Sequence, residues 1–483
     1  RRRRAELRLH RRSRTNRSVV PDVATAIRSG GLTDVPTLAT DLRRKLERVV
    51  IEARDTAEAG ARAALEALAV HHHEPYRHMK PAQRALRNHL RARARQLGDR
   101  QDKSGRLAID HLVNECAYEH WHRMLFARFL AENNLLIEPR EKMPISLAEA
   151  EELAADAGVD VWVYASRCAQ EMLPQIFRPD DPLLAVAFAR EHRVRLESLL
   201  ASLPSAVFTA SDALGWCYQF WQSKRKDQVN RSEVKIGADE LPAVTQLFTE
   251  PYMVQFLLHN TLGAWWAGKR LTAEDAENAE TEEELRRKVA LPGVNWEYLR
   301  FVKTESTAED AEDRGGRKPD SESPPRSSAP SAVKSSWRPA AGTFDGWPKA
   351  AKEIKVLDPC CGSGHFLVAA LHHLVPIRMA EEGLSAAEAV DAVLRDNLHG
   401  LELDPRCVEI AVFALALAAW RYPDEDGHPL GVRADMPAPQ IACCGLKLHA
   451  SAADWSALVP ETLPNKELVA QDLRALQDRK SVV

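Results

Sequence analysis

VLDPCCGSGHFLVAAL, residues 356–371, decides how the chain is read. A short apolar, β-type run meets Asp358-Pro359, then a Gly362-Ser363-Gly364 turn, then a helical pattern. This is a strand–turn–helix unit. The glycines let the turn close sharply and let a ligand approach backbone N–H groups at the helix N-terminus. No Lys-Ser/Thr follows the glycines, so the stretch is not a P-loop. The third glycine of a dinucleotide fingerprint is also missing. A nucleotide- or NAD-dependent enzyme is disfavoured on both counts, although a lone Gly-x-Gly also fits a generic turn.

The sequence further on sharpens this. NLHGLELDP, residues 397–405, ends a second strand (Asn397–Leu403) with Glu402 and Asp404 at its carboxyl end. An acid there accepts hydrogen bonds from ribose hydroxyls in doubly wound nucleotide-binding sheets. The alternative is a pair of acids capping the next helix, Pro405–Trp420. With strand Ile354–Asp358, helix Gly364–Glu381 and a weaker strand Gln440–Cys444, the alternation predicts a parallel sheet.

Ahead of this α/β part the pattern is helical from Asp41 to about Arg300. Leu42, Leu46, Val49, Val50 and Ala53 recur at helical spacing. CAYEHWHRMLFARFLAENNLLI is amphipathic on Trp121, Leu125, Phe129 and Leu130, with His120 and His122 expected at the surface or capping the core. SLAEAEELAADAG opens on a Ser146/Glu149 capping box and closes at Gly158. Pro179 and Pro182 mark a break. Residues 304–340 are rich in Ser, Pro, Gly and charge, and predict a disordered linker or insertion. Residues 1–40, opening on four arginines, predict a basic disordered arm, a non-native extension or a contact to DNA phosphates.

At 483 residues the chain is long enough for two or more domains. With 66 Lys/Arg against 69 Asp/Glu, the net charge of −3 gives no global attraction to nucleic acid, so any DNA-binding surface is a local patch. The longest apolar run, Ile410–Trp420, is too short for a membrane span, and no signal peptide is visible. Eight irregularly spaced cysteines point to a reducing compartment, with the cytoplasm as default.

Three motifs in order carry a resemblance. DPCCGSGHFL is similar to the S-adenosylmethionine-binding motif of amino-group DNA methyltransferases, and GLELDPRCVEIA to their next motif. TQLFTEPYMVQFLLHNTLGAWW resembles the Thr-x-Pro segment that covers one side of the cofactor in the γ-ordered adenine-N6 subclass. Together with LGWCYQFWQSKRKDQVN and FARFLAENNLL, they resemble the PglX-type methyltransferases of BREX phage defence and related restriction–modification methylases over roughly residues 40–460.

The resemblance implies a helical N-terminal domain followed by an incomplete Rossmann-like, S-adenosylmethionine-dependent core. It divides the chain into the arm (1–40), a helical domain (41–240), a helical segment with the cofactor-covering motif (241–303), the linker (304–340), the partial core (341–460) and a truncated tail (461–483). Carried over residue by residue, Asp358, Pro359, Gly362, Ser363, Gly364 and Phe366 surround the methionine moiety. Glu402, with Asp404, matches the ribose-binding acid. Thr249 and Pro251 match the upstream segment, with Glu250 as an extra residue between them.

The resemblance also implies double-stranded DNA as substrate, other defence-system proteins as partners and no membrane. The family's Asn/Asp-Pro-Pro-aromatic motif is absent: the only Pro-Pro, Pro324-Pro325, sits in SPPR without amide or aromatic. No catalytic residue is therefore assigned, and the motif is expected beyond Val483. The ending DRKSVV resembles a translated sequencing-adapter remnant, so the expectation is a truncated, inactive fragment. The alternative is a non-catalytic DNA-binding or scaffold protein with a degenerate methylase fold.

Several other groups carry weaker readings. Cys360-Cys361 and Cys443-Cys444 lack metal-site spacing and read as small buried fillers. His71-His72-His73 with His78 reads as a polar turn, and no metal is assigned. Asp180 with Glu233-Val-Lys235 matches a nuclease pattern only by coincidence. Lys224, Arg225, Lys226 and Arg231 lie beside Tyr218, Phe220 and Trp221. They are either DNA-backbone contacts or an exposed helix end whose aromatics fill the core.

Overall fold

The computed structural model describes residues 37–178, 180–232, 249–306, 334–342 and 344–444. Its first half is helical: α1 (Thr40–Ala67), α2 (Pro81–Gln96), α3 (Asp110–Glu132), a two-residue ladder of β1 (Ile137–Glu138) with β2 (Met143–Pro144), α4 (Leu147–Ala157), α5 (Val161–Gln170), α6 (Arg190–Ala201), α7 (Ser205–Thr209) and α8 (Ala213–Ser232). Helix α1 buries Leu46, Val49, Val50 and Ala53, as their spacing predicts, and packs against α3, α6 and α8. The Ser146/Glu149 capping box forms at the start of α4, and Gly158 ends it in the left-handed conformation (φ 69°).

Helix α3 differs from the one-sided helix the pattern predicts. It is buried on all sides, with Leu112, Cys116, Tyr118, Trp121, Phe126 and Phe129 all in the core. His120 and His122, expected at the surface or capping the core, are 8% and 4% exposed. His120 Nε2 lies 3.1 Å from the Leu183 carbonyl, and the His122 ring stacks on Tyr118. A helix enclosed on every face has no polar side, and its polar residues are buried with the rest.

Helices α9 (Pro251–Leu258), α10 (Ala264–Arg270), α11 (Ala273–Asn278) and α12 (Glu282–Lys288) follow, with a π turn at His259–Gly263 between α9 and α10. The expected linker 304–340 is corrected at both ends. Strands β3 (Phe301–Ser306) and β4 (Lys334–Pro339) pair antiparallel, from Phe301 opposite Pro339 to Ser306 opposite Lys334. The Trp337 indole N–H donates to the Ala279 carbonyl and anchors β4, a long-range contact that composition does not encode. The expected basic arm (1–40) is described only from residue 37, where Leu38 is buried and Thr40 already opens α1; residues 1–36, 307–333, the tail and Glu233–Lys235 lie outside the described residues.

The C-terminal part is the predicted alternation: β5 (Val356–Asp358), α13 (His365–Glu382), α14 (Ala386–Asp396), β6 (Leu398–Glu402), α15 (Pro405–Arg421) and β7 (Ile441–Cys443). The three strands form a parallel sheet in the order β5-β6-β7. On one face Gly400 meets α13: a Cβ there would lie 2.9 Å from Leu367. Leu357 and Ala442, which register places on the opposite face, are exposed.

Helix α15 serves two cores. Cys407, Ile410, Phe413, Leu417 and Trp420 join the core of the helical half, and Phe413 stacks on Phe126 at 4.0 Å. Ala411, Leu415 and Ala419 join the core around the sheet. The apolar run that is too short for a membrane is thus a helix buried on both sides, the other setting that such an all-round apolar pattern fits. Among the described residues, no helix is long and apolar enough to cross a membrane.

Candidate cofactor site

The carboxyl ends of β5 and β6 bring the opening stretch and NLHGLELDP together. Asp358 ends β5 half-buried, and its Oδ1 accepts the Cys360 N–H (3.1 Å). Glu402 ends β6 and is 8% exposed. Its Oε2 accepts the Gly362 N–H at 2.8 Å, and its Oε1 accepts the N–H groups of Leu403 (2.7 Å) and Asp404 (3.1 Å). A carboxylate has about four lone-pair sites, so Glu402 retains acceptor capacity after shaping the turn. The Cys361 N–H donates to the Leu401 carbonyl and ties the turn to β6.

The two glycines of the turn differ in their constraint. Both have positive φ, 52° at Gly362 and 78° at Gly364. A Cβ on Gly362 would meet nothing within 4 Å, whereas one on Gly364 would lie 3.0 Å from the Ala411 Cα in α15. Gly364 therefore permits the close approach of α13 and α15, and Gly362 is needed only for its backbone angle.

Electrostatically the site is negative. Among the described residues neither Asp358 nor Glu402 has a cationic partner. Burial pushes the Asp358 carboxyl up, and Glu402 adds to that push. Burial likewise raises the Cys361 thiol to about 12, with Asp358 and Glu402 contributing, so it stays protonated. Cys361 is the buried filler that its pattern predicts; Cys360 and Cys444 are exposed and Cys443 is half-buried, so the filler reading is corrected for these three. Two carboxylates without a counter-charge favour a cationic, hydroxyl-bearing ligand and oppose a pyrophosphate.

Asp404 is occupied otherwise. It caps α15 by accepting the Arg406 N–H, pairs with the Arg406 guanidinium through both oxygens (3.0 and 2.9 Å) and accepts the Tyr218 hydroxyl from α8. Burial works against its charge, but Arg406 more than offsets this and holds its carboxyl low. Its position spends it on joining α8 to α15. Asp404→Asn is expected to cost about 2–3 kcal/mol of stability in urea unfolding, while leaving cofactor affinity within about twofold, since no charge-assisted hydrogen bond to the ligand is lost.

Thr249 and Pro251 sit at the start of α9, with Pro251 as its first residue, and α9 packs on α13. Sequence reasoning missed what fastens this segment. The Tyr298 N–H donates to His259 Nδ1 (3.0 Å), which leaves Nε2 as the donor to His373 Nε2 (3.1 Å). His373 Nδ1 then donates to the Ala369 carbonyl (2.7 Å). Both imidazoles are neutral: burial depresses His259 to about 3 and His373 to about 4. The relay joins the π turn after α9 to the helix that leaves the glycine turn. Phe366 lies half-buried at the start of that helix, and Ser363 is half-buried in the turn.

In the basic stretch of α8, Arg225 and Lys226 are half-buried and Arg231 is exposed. Tyr218, Phe220 and Trp221 are buried, and Lys224 pairs with Asp55 (2.6 Å) and Glu58 (3.6 Å) of α1.

Comparison with known proteins gives a family match over the same part of the chain. Residues 345–469 match the family described as the DNA-methyltransferase domain of MmeI. The chain is 23% identical over 371 residues to the adenine-specific methyltransferase PglX of Lacticaseibacillus casei (strain Zhang), covering 68% of this chain and 27% of that protein. It is 28% identical over 224 residues to the adenine-specific methyltransferase BrxX of Escherichia coli O9:H4 (strain HS), covering 46% and 15%. Over 69 residues it is 41% identical to the adenine-specific methyltransferase PglX of Streptomyces coelicolor, covering 14% and 6%. The chain thus matches 27% or less of the length of each of these relatives. With its methyltransferase-domain match lying over the strand–turn–helix unit and the paired acids, the chain is a relative of the adenine-specific DNA methyltransferases of the PglX/BrxX type.

Proposed function

We propose that this chain binds S-adenosylmethionine at the ends of β5 and β6, and that the protein it represents methylates adenine N6 in double-stranded DNA as part of a BREX or restriction–modification defence system in the cytoplasm. The observation that carries this reading is the uncompensated pair Asp358 and Glu402 beside a glycine turn. A sulfonium and an ammonium group supply the missing positive charge, and ribose hydroxyls suit the remaining acceptor sites of Glu402. Asp358, Pro359, Gly362, Ser363, Gly364 and Phe366 would hold the methionine end, and Thr249 and Pro251 would cover it. The bound group supplies an electrophilic methyl; the chain's own residues bind and orient it.

The Asn/Asp-Pro-Pro-aromatic motif that would position an adenine amino group does not occur in the sequence. The pocket therefore holds the donor without the acceptor. In calorimetry, wild-type chain is expected to bind S-adenosylmethionine, and Glu402→Ala and Asp358→Ala to weaken it by about tenfold or more, the value of a lost charge-assisted hydrogen bond. Transfer of tritiated methyl to duplex DNA by the chain alone is expected to stay at background. Equal binding by wild type and both variants would overturn the cofactor assignment.

A further inference from the structure

Residues 71–106 hold ten Lys/Arg against three Asp/Glu, a net +7 within a chain whose total is −3. The structure brings the two ends of this segment together. The turn before α2 and the turn after it are tied together: the Leu107 N–H donates to the His71 carbonyl, and Gly105 (φ 81°) lets the His73 ring pack where a Cβ would stand 2.4 Å away. Between them Arg87 and Arg91 are buried in α2. Arg87 donates to the carbonyls of Ala69 (2.9 Å), His72 (2.5 Å) and His73 (2.8 Å); Arg91 donates to those of Val70 (2.6 Å), His72 (2.5 Å) and Gly105 (3.4 Å). Neither guanidinium pairs with a carboxylate among the described residues.

The acids within the segment do not neutralise the rest. Asp99 accepts the N–H groups of His111 and Leu112; Asp102 accepts those of Ser104 and Arg106 and offsets part of the Arg106 charge; Glu74 lies 3.2 Å from His73 and offsets part of the Arg87 charge, so three acids face ten cations. Arg93 is paired with Glu115. Arg77, Lys80, Arg84, Arg95, Arg100, Lys103 and Arg106 remain exposed and without an ion pair among the described residues. Burial and the nearby Arg87 and Arg95 charges push the Arg91 guanidinium down, which is the field of a cationic cluster lacking counter-charge.

We propose that this surface, centred on α2 and its two flanking turns, binds the phosphate backbone of double-stranded DNA. Its cations would replace condensed counterions along the duplex, the main source of sequence-independent affinity. No large hydrophobic side chain is exposed anywhere in the segment. It therefore lacks the apolar anchors of a protein interface or a lipid-inserting helix. The aromatic platform that single strands need is also missing, because Tyr76 is half-buried between His72 and His78. The choice of DNA over another duplex rests on the proposed function; the surface itself uses none of the cofactor residues.

The test is fluorescence anisotropy with a generic DNA duplex over a salt series, using wild type and the triple variant Arg95→Gln/Arg100→Gln/Lys103→Gln, with a matching triple Glu variant as a stronger arm. The expected result for the Gln variant is an affinity loss of about tenfold or more and a salt slope shallower by roughly two to three, about 0.9 per lost phosphate contact. Circular dichroism and calorimetry with S-adenosylmethionine report folding and the cofactor site separately, so failure of one reading is distinguishable from failure of the other. Unchanged affinity and slope in both folded variants overturns the proposal. So does capture by phosphatidylserine-rich vesicles with the same dependence on these residues as the duplex.

Discussion

Acidification from pH 6 to pH 4 is expected to unfold the chain. His120, His122, His259 and His373 are buried, and burial depresses them to about 3, 3, 3 and 4. In the unfolded chain each binds a proton near pH 6.5. Below that pH the unfolded state holds up to four more protons on these rings, so the stability they give is complete above about pH 6.5 and is lost as pH falls towards their folded values.

Two carboxylates oppose this. Burial raises Glu119 and Glu409; Asp181 and Glu115 add to the rise at Glu119, Glu119 adds to that at Glu409, and Arg178, paired with Glu409, acts against both. They are protonated in the fold where the unfolded chain ionises them, so they lower stability as pH rises above about 4.5. From these groups four protons against two leaves roughly two, or about 3 kcal/mol lost per pH unit between about pH 6 and pH 4.5, and His365 and His372, depressed by burial to about 4, add to the loss. Against a typical total of about 5–15 kcal/mol, two pH units suffice for a large loss. Thermal unfolding followed across pH 4–8 checks this; a midpoint that holds constant from pH 6 to pH 4 would refute it. Glu119→Gln should add stability at pH 8 and little at pH 5.

Gly364→Ala is expected to be the most damaging single-methyl change in the cofactor turn, and Gly362→Ala a mild one. At Gly364 a side chain pays about 1–2 kcal/mol for its left-handed backbone. Its Cβ also meets the Ala411 backbone at 3.0 Å, on a helix held by two cores that cannot retreat. Overpacking adds about 1–3 kcal/mol. Gly362→Ala carries the backbone term alone, since nothing lies within 4 Å. Urea midpoints for the two variants should therefore differ clearly, and S-adenosylmethionine binding should fall further in Gly364→Ala. Equal midpoints would show that α15 yields.

Local pattern made the C-terminal alternation legible. The strand ending at Asp358, the glycine turn, the helix after it, the strand ending at Glu402 and the helix from Pro405 all follow from residues a few positions apart. Helix α14 was missed although its signal was present, a Ser385/Glu388 capping box that the structure forms. Other misses have a different cause. The β3–β4 ladder joins residues about thirty positions apart through backbone hydrogen bonds, and nothing in the intervening composition specifies it. The partner of Asp404 is Tyr218, 186 residues earlier, so a capping acid and a ribose-binding acid look alike until the fold brings α8 to it. The buried histidines of α3 were hidden for the same reason: burial on all sides erases the periodicity that reveals a face.

Helix α15 imposes an order on synthesis. The helical half is translated first, yet one wall of its core is supplied by Cys407, Ile410, Phe413, Leu417 and Trp420. Between the end of α8 at Ser232 and the end of α15 at Arg421 the ribosome must add almost two hundred residues, roughly 10–40 s at ordinary synthesis rates. Until then the nascent N-terminal helices present an unfilled apolar groove, a natural target for chaperones. A nonsense mutation anywhere in that interval would leave not a smaller working domain but a chain that cannot close its first core.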